Sequence, residues 1–313
     1  MQGIDFDIFP PGNAYYDGAA KKTSVSYHGV LYMLKYPAKT AIKNDLNTDY
    51  SNSPFSEYIS CQIINALRIP GVLAQKTLLG ESMGKVVVAC EDFTTDDTKL
   101  VKFNMIQNAH IDSQGSGRHP ILEDVLETYA EMPQLNKKPA FIERFWDTFV
   151  LDAFLGNFDR HAGNWGFLNN RKTGELTLAP IYDCGSCLYP SISKSSMESV
   201  LEDQNEINKR LYDFPKSAFQ SRNENGKLAK LSYREFMQAC TEPGYQRSLI
   251  KVTEYIDMET VEKVIAETPY LEDIQKRFYS EMLRQRLDNI VMPAYEIVQG
   301  RKKETKKKRQ ERE

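Results

Sequence analysis

Nowhere in the 313 residues does an apolar run approach the roughly 18–20 residues that a membrane-spanning helix requires. The first residues, MQGIDFDIFPPG, lack a basic segment ahead of an apolar stretch, so a secretory signal is not expected. Cysteine is scarce and odd in number, five in all, with no framework spacing. That argues against a disulfide scaffold and for reduced thiols in a cytoplasm-like setting. One pair, Cys184 and Cys187, does show C-x-x-C spacing. A redox motif of that kind opens a helix after an early strand, whereas this one follows a late hairpin, so a redox role is not favoured. A zinc site would need a second ligand pair, and none is visible. The Walker phosphate loop and the G-x-G-x-x-G spacing are missing as well.

What is present can fold. The chain is 41% hydrophobic and 11% aromatic, enough for a sizeable core in one large or two smaller domains. Net charge is -3, unevenly placed. From Arg301 onward the sequence RKKETKKKRQERE is strongly basic, which leaves the remaining chain acidic. This tail has no apolar residue to bury and is expected to be a solvated or fraying extension. Its charge suits an import receptor or another anionic partner. No specific nucleic-acid site is evident.

The most informative stretch is Phe145 to Leu188. Phe141, Phe145 and Phe149 recur every fourth residue, with Ile142, Trp146, Val150 and Phe154 beside them, which predicts a helix with a broad apolar face. Gly156-Asn157 should end it, because glycine accepts the left-handed backbone of a helix C-terminus. A polar loop follows, from Asp159 to Asn164. Trp165–Leu168 and Glu175–Ile181 read as two strands around a turn at Asn169–Gly174, and Tyr182-Asp183-Cys184-Gly185 comes next. Phosphoryl transfer needs a carboxylate to orient and deprotonate a hydroxyl, and oxygen ligands for Mg²⁺. Asp159 and Asn164 have the five-residue spacing of a kinase base and its metal-binding amide, and Asp183-Cys184-Gly185 sits where a second metal ligand is expected. Alternatively, these residues only cap turns.

The order of the preceding elements fits the same chemistry. Residues 4–16 read as strand and loop, 17–24 as small, flexible and basic, and Val25–Lys35 as strand. Two strands around the Gly18-Ala19-Ala20-Lys21-Lys22-Thr23 loop would let backbone N–H groups approach phosphates, although an ordinary hairpin turn explains the loop equally well. Lys35 ends an apolar run. It either snorkels to water or faces a cleft and pairs with phosphates. After a polar loop, Ser53-Pro54 is a good helix start, and Phe55, Ile59, Ile63 and Leu67 mark an apolar stripe. Glu57 lies off that stripe, where a kinase carries the Glu that orients the strand Lys. Val72–Leu79 and Lys85–Cys90 read as strands around Gly80–Gly84. Glu91-Asp92-Phe93 is expected to be an interlobe hinge, where backbone groups would hold adenine.

Farther on, Ile121–Met132 is expected to be a helix, and His110 and His119 are read as solvent or loop histidines. Ser191, Ser193, Ser195 and Ser196 lie in a segment that is either an activation segment with candidate phosphosites or a plain polar loop. Residues 203–250 mix short helices and loops. Glu259–Ala266 and Tyr270–Val291 are expected to be helical, with Pro293 kinking or ending the last helix.

The central stretch resembles the HipA family of serine/threonine kinases. That family's catalytic loop has the form G-N-x-D-x-H-x-x-N, here Gly156-Asn157-Phe158-Asp159-Arg160-His161-Ala162-Gly163-Asn164, and its metal motif is Y-D, here Tyr182-Asp183. The resemblance implies an α+β, two-lobed protein-kinase-like fold: a β-rich N-lobe over 1–93, a mostly helical C-lobe over 94–300 and a basic tail over 301–313. It also implies a start near the phosphate loop, without the additional N-terminal region of longer family members. The implied substrate pair is ATP with Mg²⁺ and a protein bearing an acceptor Ser or Thr, the chain itself included. By the same resemblance Asp159 is the base, Asn164 and Asp183 bind Mg²⁺, and Lys35 contacts the phosphates while Glu57 holds Lys35. Gly18, Ala19, Ala20, Lys21, Lys22 and Thr23 cover the phosphates, His161 supports the catalytic loop, and Glu91 and Phe93 belong to the nucleotide site. Two alternatives stay open. Asp159-Arg160-His161 with Asn164 is also similar to the D-R-H-x-x-N loop of phosphatidylinositol kinases, which admits a lipid or small-molecule acceptor. A catalytically silent docking protein on a kinase scaffold is the other.

Overall fold

A computed structural model describes residues 3–12, 22–37, 52–110 and 119–310. Its N-terminal part is a curled five-stranded sheet built from β1 (Ile4–Asp5), β2 (Lys22–Tyr27), β3 (Val30–Lys35), β4 (Thr77–Ser82) and β5 (Lys85–Glu91), in the order β1-β4-β5-β3-β2. β1 runs parallel to β4, and the other neighbours are antiparallel. Helix α1 (Ser53–Ala66) lies between β3 and β4 in the chain and begins with Pro54 in its first turn, as the sequence predicts. The remainder is mostly helical, with α2 (Phe103–His110), α3 (Leu122–Glu131), α4 (Pro133–Asn136), α5 (Pro139–Leu155), α6 (Lys194–Glu202), α7 (Gln204–Tyr212), α8 (Tyr233–Ala239), α9 (Pro243–Tyr255), α10 (Met258–Glu267), α11 (Asp273–Arg286) and α12 (Met292–Gln310). Two small sheets interrupt it: β6 (Thr98–Lys102) with β7 (Gly166–Asn170) and β8 (Leu176–Leu178), and β9 (Gln220–Arg222) with β10 (Leu228–Lys230). This is the two-lobed α+β architecture expected from the sequence. Among the described residues no helix is long and apolar enough to cross a membrane.

Several boundaries differ from the sequence reading, each for a local reason. The stretch read as one strand from Val25 to Lys35 is a hairpin, because His28 and Gly29 both take positive φ and close a two-residue turn. The next strand starts at Thr77 rather than Val72, and it runs through Gly80 instead of turning there. A Cβ at Gly80 would sit 2.2 Å from the carbonyl oxygen of Ile4, so this glycine admits β1 alongside rather than making a turn. The turn is Met83-Gly84. Strands β6, β9 and β10 were not anticipated. The Tyr270 helix begins at Asp273, behind a capping box formed by Glu272 and Gln275.

At the C-terminal end, α11 passes through a π-helical segment, Leu287–Val291, into α12. Pro293 is therefore the second residue of a continuing helix and does not end it. The backbone of the basic tail is helical as far as Gln310 and residues 301–303 are exposed, so of the expected solvated or fraying extension the solvated form applies at its start. Lys, Arg, Glu and Gln are all good helix formers, and no proline follows Gly300.

The core is centred on α5. Phe145, Trp146, Phe149, Val150, Leu151, Ala153, Phe154 and Leu155 are all buried, so the helix is enclosed on nearly every side rather than along one stripe. The same apolar cluster takes in Ile59, Cys61, Ile63 and Ile64 of α1, which fastens the N-terminal helix to the helical lobe. A parallel bridge between Ala74 and Ile181 adds a backbone tie just ahead of Tyr182-Asp183. Gly156 ends α5 in the left-handed conformation, φ 71° and ψ 39°, as expected. A Cβ there would meet Pro215 at 3.2 Å and Arg286 at 3.3 Å. Gly156→Ala should therefore cost about 1–2 kcal/mol of stability, read as a lower urea unfolding midpoint at unchanged slope.

Candidate active site

Lys35 is the last residue of β3 and lies opposite Lys22, where β2 begins. Its ammonium donates to Glu57 Oε2 at 2.8 Å and to Asp183 Oδ1 at 3.0 Å. Three segments far apart in sequence thus meet at one nitrogen. Glu57 is only 1% exposed, and its second oxygen accepts the Cys184 N–H at 3.0 Å. Each carboxylate oxygen of Glu57 therefore holds a different part of the cleft. Burial opposes the charge on Lys35, but the Asp183 and Glu57 carboxylates outweigh it and hold the ammonium pKa well above its usual value. Asp183 is less enclosed, with 45% of its side chain exposed, and its backbone is left-handed at φ 58°. For a non-glycine residue that conformation is uncommon, and it persists where surrounding contacts impose it.

The loop after α5 is held from beneath. Asp152, on the last turn of α5, forms a fork with Arg160: Oδ2 accepts from Nε at 2.8 Å and Oδ1 from Nη2 at 2.9 Å. Nη1 of Arg160 donates to the carbonyls of Asn164 at 2.9 Å and Tyr182 at 2.5 Å. Burial opposes the guanidinium charge, but Asp152 more than compensates, and its pKa stays well above the usual value. Asn157 is buried, donates to Asp152 Oδ1 at 2.9 Å and accepts the Asp159 N–H at 3.0 Å. The Tyr233 hydroxyl donates to the Asn157 carbonyl at 2.6 Å. The amide of Asn164 donates to the carbonyl of Asp159 at 2.8 Å, and the Gly163 N–H donates to His161 Nδ1 at 3.1 Å. Tyr182 closes the loop by donating from its hydroxyl to the Gly163 carbonyl at 3.1 Å.

The structure thus brings Lys35, Glu57 and Asp183 into direct contact, and it links Asp159, His161 and Asn164 to Tyr182-Asp183 through Arg160. The donor set suits Mg²⁺, which takes one or two protein oxygens and completes its shell with phosphate and water. Asn164 commits its NH₂ to the carbonyl of Asp159, so its amide oxygen is the atom with which it would meet a cation. Among the described residues no cluster of three His, Cys, Asp or Glu forms a metal cage of its own.

Gly18, Ala19, Ala20 and Lys21 lie outside the described residues, as does the side chain of Lys22. The flanks of that segment are described. Gly12 N–H bonds to the Ser24 carbonyl at 2.9 Å, Ser26 N–H bonds to Pro10 at 3.0 Å, and Thr23 pairs with Leu34 in β3. Glu91 and Phe93 make their described contacts elsewhere than at Lys35 and Glu57. The Glu91 N–H bonds to Lys76 O at 2.9 Å and its carbonyl accepts from Gln75 at 2.8 Å, while the Phe93 ring lies 5.7 Å from Tyr182. Both residues line a cavity of about 490 Å³ with Leu73, Lys76, Arg144 and Pro180. Of the serines after the metal motif, Ser193 is the buried N-cap of α6 and accepts the Ser196 N–H, whereas Ser191 and Ser195 are exposed. Cys184 and Cys187 are free, buried thiols at a turn rather than at a helix start.

Sequence reasoning missed the supporting pair, Asp152 and Arg160. The signal was present: Asp152 is a lone acid inside the apolar run FVLDAFL, where an unpaired carboxylate would be costly.

The family described as HipA-like C-terminal domain matches residues 15–271. A serine/threonine-protein kinase of Helicobacter pylori, CtkA, is 38% identical over 298 residues, 94% of this chain and 88% of that protein. The crystal structure of a Helicobacter pylori proinflammatory kinase CtkA superposes with a TM-score of 0.82 at 36% identity, covering 95% of this chain and 98% of the other. A chain from a Shewanella oneidensis HipA–HipB–operator DNA complex gives a TM-score of 0.55 at 14% identity, over 92% of this chain and 68% of that one, and shares the fold.

Removing one member of a buried pair strands the other charge. Arg160→Met should destabilise the protein by about 3–5 kcal/mol. Asp152→Leu combined with Arg160→Met should recover much of that in a denaturant titration while leaving the loop unsupported and phosphoryl transfer defective.

Proposed function

The chain belongs to the HipA-like kinase family, and from that premise we propose that it transfers the γ-phosphoryl group of ATP to a Ser or Thr hydroxyl of a polypeptide, with Asp159 as the base. It is a phosphotransferase, a serine/threonine kinase of the HipA type. The observation that carries the residue-level reading is the Lys35 ammonium held at once by Glu57 and Asp183, at 2.8 and 3.0 Å. That contact joins the sheet, the N-terminal helix and the metal motif in the order a phosphoryl-transfer site requires.

Each side chain then has a task. Glu57, enclosed and bonded on both oxygens, keeps Lys35 pointed at the α- and β-phosphates. Lys22 pairs opposite Lys35 where β2 begins, and residues 18–23 would cover the phosphates. Asp159 orients the acceptor hydroxyl and takes its proton, and Arg160 fixes the height of that loop against the metal motif. Asn164 and Asp183 would hold Mg²⁺, which when bound with ATP neutralises the charge on the phosphate oxygens. His161 stiffens the loop through Gly163. Glu91 and Phe93 mark the interlobe connection, and we place the lobes at 1–93 and 94–300 with the basic tail beyond. The chain itself is one candidate acceptor, and the tail a candidate contact for an anionic partner.

The test is incubation with radiolabelled ATP and Mg²⁺, alone, with a generic basic protein and with phosphoinositide, wild type beside Asp159→Asn. Label on protein Ser or Thr is expected, reduced by about 10²–10⁴-fold in Asp159→Asn. Label on lipid alone, or full activity in the variant, refutes the reading. Asp183→Asn should in addition weaken Mg²⁺-dependent ATP binding, measurable by calorimetry without turnover.

A further inference from the structure

A cavity of about 540 Å³ opens directly beside the catalytic loop. Phe158, Tyr189, Pro190, Ile192 and Phe214 supply its apolar surface, and the hydroxyl-bearing Ser191, Ser193 and Ser196 complete one wall. Phe158 is the residue immediately before Asp159, and its ring packs against Phe214 at 5.1 Å between centroids. Phe214 is 51% exposed, a large aromatic surface left at the cavity mouth. A pocket of this size holds one or two bulky side chains.

We propose that this cavity is the specificity pocket for the polypeptide acceptor, and that it selects a bulky apolar residue, Leu- or Phe-like, close in sequence to the phosphorylated Ser or Thr. The inference rests on the kinase reading, with the acceptor hydroxyl at Asp159. An extended polypeptide advances about 3.3 Å per residue and turns successive side chains to opposite faces. A substrate whose hydroxyl meets Asp159 therefore carries a neighbouring side chain over Phe158 and into the cavity.

The rim explains why the occupant is uncharged. Lys209 and Arg210 stand at the edge, but both are bonded to the carboxylate of Glu206. Asp213 adds a further acid to the same edge. The cations are already neutralised, so a phosphate or carboxylate gains little by entering, and the aromatic surface is what remains to be covered. The walls are also held in place. The Tyr189 hydroxyl donates to the Arg210 carbonyl at 2.7 Å. Asn52, just ahead of α1, bonds to the carbonyls of Pro190 at 2.5 Å and Ile192 at 2.9 Å. The pocket is thus tied to the helix that carries Glu57, and a preformed cavity of this kind selects by fit.

The experiment is a panel of Ser-containing peptides in which each position within three residues of the acceptor is varied among Ala, Leu, Phe, Glu and Lys. Transfer from radiolabelled ATP is measured with wild type, Phe214→Ala and Phe214→Glu. At one position, Leu or Phe should raise kcat/KM about tenfold or more over Ala. That ratio should fall towards one in Phe214→Ala, and the preference should move to Lys in Phe214→Glu. Transfer with no apolar preference at any position, a wild-type preference for Glu or Lys, or a ratio unaltered in both variants overturns the inference while leaving the kinase reading intact. Transfer to no peptide and no protein at all removes the kinase reading and the inference together.

Discussion

The site depends on a charge buried where no charge can stand alone. Arg160 and Asp152 are each almost fully enclosed, and either one by itself would be strongly unfavourable. Together they form a two-pronged contact at the end of α5, and the remaining guanidinium donors reach carbonyls on both sides of the cleft floor. The pair is weak as a source of net stability but strong as a positional device. It sets the distance between the loop that carries Asp159 and Asn164 and the segment after β8 that carries Asp183. Asn157 and Tyr233 add a second level of support, so the loop is held in shape without a regular hydrogen-bond ladder.

Much of the site was legible because it is built from local signals. Gly156-Asn157 stops a helix, Ser53-Pro54 starts one, and the Asp159–Asn164 spacing is contained in a single loop. Lys35 and Glu57 were legible only as an order of elements, and the ion pair between them is a tertiary fact. Glu57 sits off the apolar stripe of α1, where periodicity alone predicts exposure, yet it is buried, because its partners come from β3 and from Cys184. Asp152 and Arg160 were unread for the same reason.

The fold was less legible at its turns. Gly29 is a turn signal inside an otherwise strand-like run, and reading the run as a whole passed over the hairpin. Gly80 looked like a turn because glycine has two uses, and here the close approach of β1 is the one that applies. The tail looked unstructured because it has nothing to bury, but helix propensity and continuity with α11 carry the backbone on to Gln310.

The contact at Lys35 has a consequence for how the chain is made. Glu57 follows Lys35 by 22 residues, whereas Asp183 follows it by 148. At a translation rate of about 5–20 residues per second, the second carboxylate leaves the ribosome roughly 7–30 seconds after the first strand pair could form. Once Glu57 has also emerged, and for the rest of that interval, a nascent chain can hold the Lys35–Glu57 half of the cleft and nothing with which to close it. The cleft therefore cannot close until the segment that follows β8 has been made, and a chain interrupted before Asp183 would carry the strands of the sheet with no site.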